Sequence, residues 1–80
     1  LIDNDVYVYP NQTSKFITFN LTGAHGSLNI YNPSGQFQQS YKLNNTENLI
    51  DMRSYDNGVY FYSILTDGKI QTGKFIVNKF

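Results

Sequence analysis

Apolar and polar residues alternate along most of this chain, in short runs parted by turn-forming residues at roughly eight- to twelve-residue intervals. A period of two sends successive side chains to opposite faces, so each run predicts a strand with one buried face. Val6 to Tyr9 alternates Val and Tyr and ends at Pro10-Asn11. Lys15 to Leu21 sets Ile17, Phe19 and Leu21 on one face and Phe16, Thr18 and Asn20 on the other. Residues 22–26 read as a loop, and Ser27 to Tyr31 places Leu28 and Ile30 together. Asn32-Pro33-Ser34-Gly35 is a four-residue turn with Pro at its second position.

Gln36 to Leu43 is more polar and reads as an edge strand, half of whose side chains face water. After Asn44-Asn45-Thr46, Asn48 to Met52 is a short strand carrying Leu49, Ile50 and Met52. Gly58 to Leu65 is the most apolar run, hence the central strand, and Asp67-Gly68 is a tight hairpin signal that pairs Lys69 to Val77 back against it. The segment Asp56-Asn57-Gly58-Val59-Tyr60 has the Asp-x-Gly-x-Tyr spacing of a tyrosine corner, in which the hydroxyl folds back onto upstream backbone. An ordinary Asn-Gly turn leading into an aromatic strand has the same letters. The corner reading points Tyr60, Tyr62 and Ile64 inward. Seven strands and no helix predict an all-β, immunoglobulin-like antiparallel β-sandwich.

Composition agrees with the pattern. Ten Asn, six Ser, six Thr and five Gln stand against one Ala and one Glu, so turn and strand formers replace the best helix formers. Eighty residues make one domain, with no space for separate substrate and cofactor lobes. Six basic residues balance six acidic ones, which leaves no cationic face for nucleic acid. No run approaches the length of a membrane-spanning helix. With no cysteine there is no disulfide and no thiolate site, so packing alone holds the fold. Nearly every apolar residue is therefore expected in the core.

The residues give little purchase for catalysis. His25, the only histidine, lies in a Gly-flanked loop with no carboxylate or Ser set beside it by strand spacing, and reads as an exposed loop residue. Asp3 and Asp5 lack the further oxygen ligands of a calcium loop. The six acids are scattered over turns, unlike a glycosidase pair. Three Asn-x-Thr triplets, at Asn11, Asn20 and Asn44, are no more than this composition produces by chance. The expectation is a non-enzyme with no cofactor and no metal. Tyr7, Tyr9, Tyr31, Tyr41 and Tyr55 are candidates for stacking on sugars, though Trp, the usual platform, is absent. Lacking an initiator Met and any leader, residues 1–5 read as a linker cut from a longer protein, and the halt at Lys79-Phe80 right after a strand-like run suits a natural C-terminus.

The landmarks also come in a telling order. Val8-Tyr9-Pro10-Asn11-Gln12-Thr13-Ser14 leads into Lys15-Phe16-Ile17-Thr18; then follow Ile30-Tyr31-Asn32-Pro33-Ser34-Gly35-Gln36, Ile50-Asp51-Met52, Gly58-Val59-Tyr60-Phe61, Thr66-Asp67-Gly68 and Lys74-Phe75-Ile76-Val77-Asn78-Lys79. In order and spacing, over residues 6 to 79, this resembles the C-terminal sorting domain of type IX secretion cargo proteins from Bacteroidetes. Each motif alone is weak; together they are specific. Gln12 stands where the family usually has a second Pro, and Tyr55 where it usually has Leu.

The resemblance implies that residues 6–80 are a sorting domain without chemistry of its own. It implies a passenger domain N-terminal to it in the same chain and an N-terminal signal peptide for reaching the periplasm. An outer-membrane translocon recognises the folded domain, and a sortase-like protease removes it before the first strand, near or upstream of residues 1–5, leaving the passenger on the cell surface or secreted. By the same resemblance the recognition residues are Gly58 and Tyr60 for the fold of the signal, Lys74 and Lys79 as exposed charges, then Gly35 and Gln36, with Pro10 and Asn11 in the opening motif. Solvated edge lysines that deter strand pairing would look the same in sequence. The alternatives are a carbohydrate-binding module or a structural immunoglobulin-like spacer of a surface protein.

Overall fold

The computed structural model describes residues 6–10, 12–21, 25–44, 46–66 and 68–79. The strands are β1 (Val6–Tyr9), β2 (Gln12–Thr13), β3 (Phe16–Leu21), β4 (Gly26–Tyr31), β5 (Phe37–Leu43), β6 (Glu47–Asp51), β7 (Gly58–Thr66) and β8 (Lys69–Val77). Seven match the predicted runs within one residue at each end. The eighth, β2, is two residues long and pairs parallel with the end of β8. Sequence pattern misses it because two residues carry no period. Its place is fixed by local bonds: the Thr13 hydroxyl accepts from the Lys15 N–H and donates to the Phe16 carbonyl, while the Asn78 N–H donates to the Thr13 carbonyl.

Two sheets face one another, with orders β1-β3-β6 and β2-β8-β7-β4-β5, and apart from β2 every pairing is antiparallel. This is an all-β, immunoglobulin-like sandwich. The apolar β7 lies in the middle of the larger sheet and the polar β5 at its edge, as their compositions predict. The Asp67-Gly68 hairpin joins β7 to β8; Asp67 itself lies outside the described residues, while Gly68 takes the positive φ of 78° that such a turn needs.

The core is built from alternate residues of both sheets. Ile17, Phe19, Leu21 and Ile50 come from the smaller sheet, and Leu28, Ile30, Leu43, Tyr60, Ile64, Phe75 and Val77 from the larger, with Met52 and Tyr55 closing one end. Aromatic rings run through it in contact. Tyr55 meets Tyr60 edge-on at 5.2 Å between centroids, Tyr60 stacks on Phe75 at 5.7 Å, and Phe19 meets Tyr62 edge-on at 5.3 Å. Offset-stacked and edge-to-face pairs each add about 1 kcal/mol beyond the area they bury. Tyr62 is half-buried because it lies over Gly73, its cross-strand partner; a Cβ there would sit 2.5 Å from the Tyr62 ring. Gly73 thus admits an aromatic ring flat against the sheet.

Two expectations need correction. Thr18 is buried although it shares the outward face of β3, because β3 is the middle strand and Thr18 stands between Tyr9 and Leu49. Nor are nearly all apolar residues in the core. Tyr9, Phe16, Phe37, Leu49, Val59, Phe61, Leu65, Ile70 and Ile76 are all exposed, since a two-layer sandwich buries only the inner face of each sheet.

Two measurements check this packing. Phe75→Ala should cost about 4 kcal/mol in urea unfolding, and Leu49→Ala, at an exposed site, less than about 0.5 kcal/mol. Burial raises the hydroxyl pKa of Tyr55, Tyr60 and Tyr62. A raised folded-state value favours the protonated form, so this stabilisation is complete below the free tyrosine value of about 10 and disappears as pH rises above it. Alkaline titration should show unfolding and tyrosinate absorbance rising together above about pH 10.

Candidate recognition surface

Gly58, Tyr60 and Lys79, with the 32–36 turn, gather at one end of the sandwich around the loop from Met52 to Asn57. The loop begins with a local ion pair. The Asp51 carboxylate accepts the backbone N–H of Arg53 at 2.9 Å and its guanidinium at 2.8–3.2 Å. The Arg53 side-chain and backbone bonds hold the Asp51 carboxyl down at about 2. The Arg53 guanidinium also lies 5.3 Å above the Phe16 ring. Both charges are exposed, so the pair shapes the turn more than it stabilises the fold.

The tyrosine corner is present. The Tyr60 hydroxyl donates to the Asp56 carbonyl at 2.8 Å, four residues upstream, so the buried ring anchors the loop that precedes its own strand. Gly58 is needed for space, because a Cβ there would meet Pro33 Cγ at 2.8 Å. Pro33 belongs to the turn before β5, so this contact sets the 32–36 turn against the start of β7. That turn is organised by Asn32, whose side-chain oxygen accepts the N–H groups of Ser34 and Gln36 at 2.9 Å each. Gly35 has a φ of 84°, and its N–H donates to the Asn32 carbonyl. The Gln36 side chain accepts from the Asn32 amide.

Lys79 departs from its expectation as an exposed charge. It is half-buried, and its ammonium donates to the Arg53 carbonyl at 2.7 Å and to the Tyr55 carbonyl. Its backbone is gripped as well: the Lys79 N–H donates to Asn57 Oδ1 at 2.8 Å, and Asn57 Nδ2 donates to the Lys79 carbonyl. Turn carbonyls with no strand partner need a donor, and a flexible cationic side chain at the end of β8 reaches them. Lys79 is a clasp on the corner loop. Lys74, by contrast, is exposed in the middle of β8, opposite Phe61.

Pro10 is exposed, follows a cis peptide bond, and marks where the chain leaves the smaller sheet for the larger. Asn11 lies outside the described residues, as do residues 1–5 of the predicted linker. Of the tyrosines considered for sugar stacking, Tyr55 is buried and Tyr41 half-buried, their hydroxyls 2.9 Å apart, so neither ring is a platform. Tyr9 is exposed, with its hydroxyl donating to Glu47, and Tyr31 is half-buried against Phe37. The side chain of Tyr7 lies outside the described residues. His25 is exposed beside Ser27, Lys42 and Asn44 on a shallow groove. Asn32, Asn57 and Gly73 carry structural roles that their letters alone did not announce; the signal available was an Asn two residues before a Ser-Gly turn and a Gly inside an aromatic strand pair.

The family model for the secretion system C-terminal sorting domain matches residues 7–78. The chain belongs to that family, the sorting signals of type IX secretion. No curated protein matches it. The motifs that carried the resemblance thus lie on one folded unit, and their inward residues include Ile30, Tyr60, Phe75 and Val77 of the core. A sorting domain of this system implies export across the outer membrane, to the surface or the medium.

Lys79→Met removes both ammonium bonds while keeping most of the stem. It should destabilise the domain by about 2 kcal/mol, read as a lowered urea midpoint with unchanged slope. Tyr60→Phe should cost about 1 kcal/mol by the same measurement.

Proposed function

We propose that this domain is the address that a type IX secretion system reads on a passenger protein joined to its N-terminal side. The passenger crosses the inner membrane behind a signal peptide, and the folded domain is bound from the periplasm by the outer-membrane translocon. A sortase-like protease then cuts ahead of β1, near residues 1–5, and frees the passenger or leaves it on the cell surface. The observation that carries this reading is the family match across residues 7–78. The fold supports it: a cysteine-free domain closed by its own corner and clasp presents a fixed shape without help from a passenger.

Within this reading the recognition residues divide by task. Gly58, Tyr60, Lys79, Gly35 and Gln36 hold the shape of the signal, and Lys74 is the charge open to a receptor. Pro10 stands where the chain passes between the sheets.

Fusing residues 1–80 behind a signal peptide and a fluorescent reporter in a type IX-competent host should move the reporter to the surface or medium. Mass spectrometry of the exported reporter should find a new C-terminus at or before residue 5. A reporter that stays periplasmic, while a known sorting domain exports it in the same strain, contradicts the proposal.

A further inference from the structure

The outward residues of the larger sheet are not randomly mixed. Register places Phe37, Tyr31, Phe61 and Lys74 in one row across β5, β4, β7 and β8, with Val59 and Ile76 paired in the next row. Phe37 is 60 % exposed, Phe61 42 %, Ile76 39 % and Val59 37 %. The Tyr31 and Phe37 rings meet edge-on at 6.2 Å. A polar row of Asn29, Ser63 and Thr72 bounds this patch and parts it from a separate exposed pair, Leu65 and Ile70, nearer the Gly68 hairpin. Large apolar side chains clustered on one side of a folded domain are a mark of an interaction site, and aromatic residues are enriched at the centres of protein interfaces.

Charge is segregated in the same direction. Among the described residues, the strands of the larger sheet carry Lys42, Lys69 and Lys74 and no carboxylate, whereas those of the smaller sheet carry Glu47 and Asp51 and no cation. Of these, Lys42 and Lys74 stand in the outward rows of the larger sheet, whereas Lys69 pairs with buried Thr66 in the inner row. On the smaller sheet the Asp51 charge is matched by Arg53 over Phe16, so the face with cations and no carboxylate is the outward face of the larger sheet. Five of the six patch residues also come from three of the sequence motifs: Tyr31, then Val59 and Phe61, then Lys74 and Ile76. In each motif the neighbouring residues point into the core.

We propose that this patch is the docking surface of the domain, and that its occupant is a protein whose apolar contact area is bordered by carboxylates. The proposal rests on the sorting-signal reading and names the face and the partner chemistry. A second copy of this chain fits poorly, since pairing the face with itself sets lysines against lysines. A lipid surface fits poorly too, because Lys74 stands in the aromatic row itself and the adjoining polar row would lose its water. A protein can supply hydrogen bonds there.

The test is export of the reporter fusion carrying Phe61→Ser, Ile76→Ser or Lys74→Glu, with Leu49→Ser on the opposite sheet as control. Each purified domain is checked for its urea midpoint. Each patch variant should lower export at least tenfold at an unchanged midpoint, Lys74→Gln should fall between wild type and Lys74→Glu, and Leu49→Ser should export normally. Wild-type export matched by all patch variants overturns the surface alone; a wild-type fusion that is not exported overturns the sorting reading and the surface with it. Two further outcomes overturn it: dimerisation of the purified domain that Phe61→Ser abolishes, or Phe61-dependent cosedimentation with phosphatidylcholine–phosphatidylglycerol vesicles.

Discussion

The nine-residue antiparallel pairing of β7 with β8 is the constraint on which the rest of this structure depends. It fixes which residues of two motifs face in and which face out, and a one-residue slip would exchange the two sets. Tyr60 lies opposite Phe75 and Tyr62 opposite Gly73, so the register also assembles the aromatic stack that fills the sandwich without any disulfide. The hairpin at Gly68 sets the register at one end. At the other, the Tyr60 corner and the Lys79 clasp hold the 52–57 loop, so neither strand can shift without breaking buried or charge-assisted hydrogen bonds.

From that pairing the family membership acquires a physical meaning. A sorting signal has to survive in a compartment where its passenger differs from protein to protein, so its shape has to be self-contained. The corner, the Asn32 turn and the Gly58–Pro33 contact all lie at one end of the domain and reinforce one another. The same strands that hold this end together carry the exposed aromatic row on their other face. Fold and recognition are read from one stretch of sequence by alternation.

Much of this was legible in the letters. Alternation and turn spacing gave seven of the strands, and composition gave the apolar β7 its central place and the polar β5 its edge, because burial of one face writes itself into a period of two. Asp56-x-Gly58-x-Tyr60 announced the corner, since only a few residue types perform that turn. What escaped depended on distant partners. Two residues at Gln12–Thr13 have no period; the role of Gly73 exists only because Tyr62 lies across from it; and Lys79 looks like any terminal lysine until the carbonyls of Arg53 and Tyr55 are brought beneath it. The exposed aromatics were misassigned for a related reason. Composition counts apolar residues, but only the layering of two sheets decides how many faces there are to bury them.

The central claim is that inward residues act on export only through folding, and outward residues only through contact. It is tested most directly by measuring export against unfolding free energy over one panel of substitutions on β4, β7 and β8. The account predicts two populations: inward changes such as Phe75→Leu and Gly73→Ala lose export in step with the fraction unfolded, and outward changes lose it at wild-type stability. A single curve on which export follows stability alone, whichever face a substitution lies on, would contradict it.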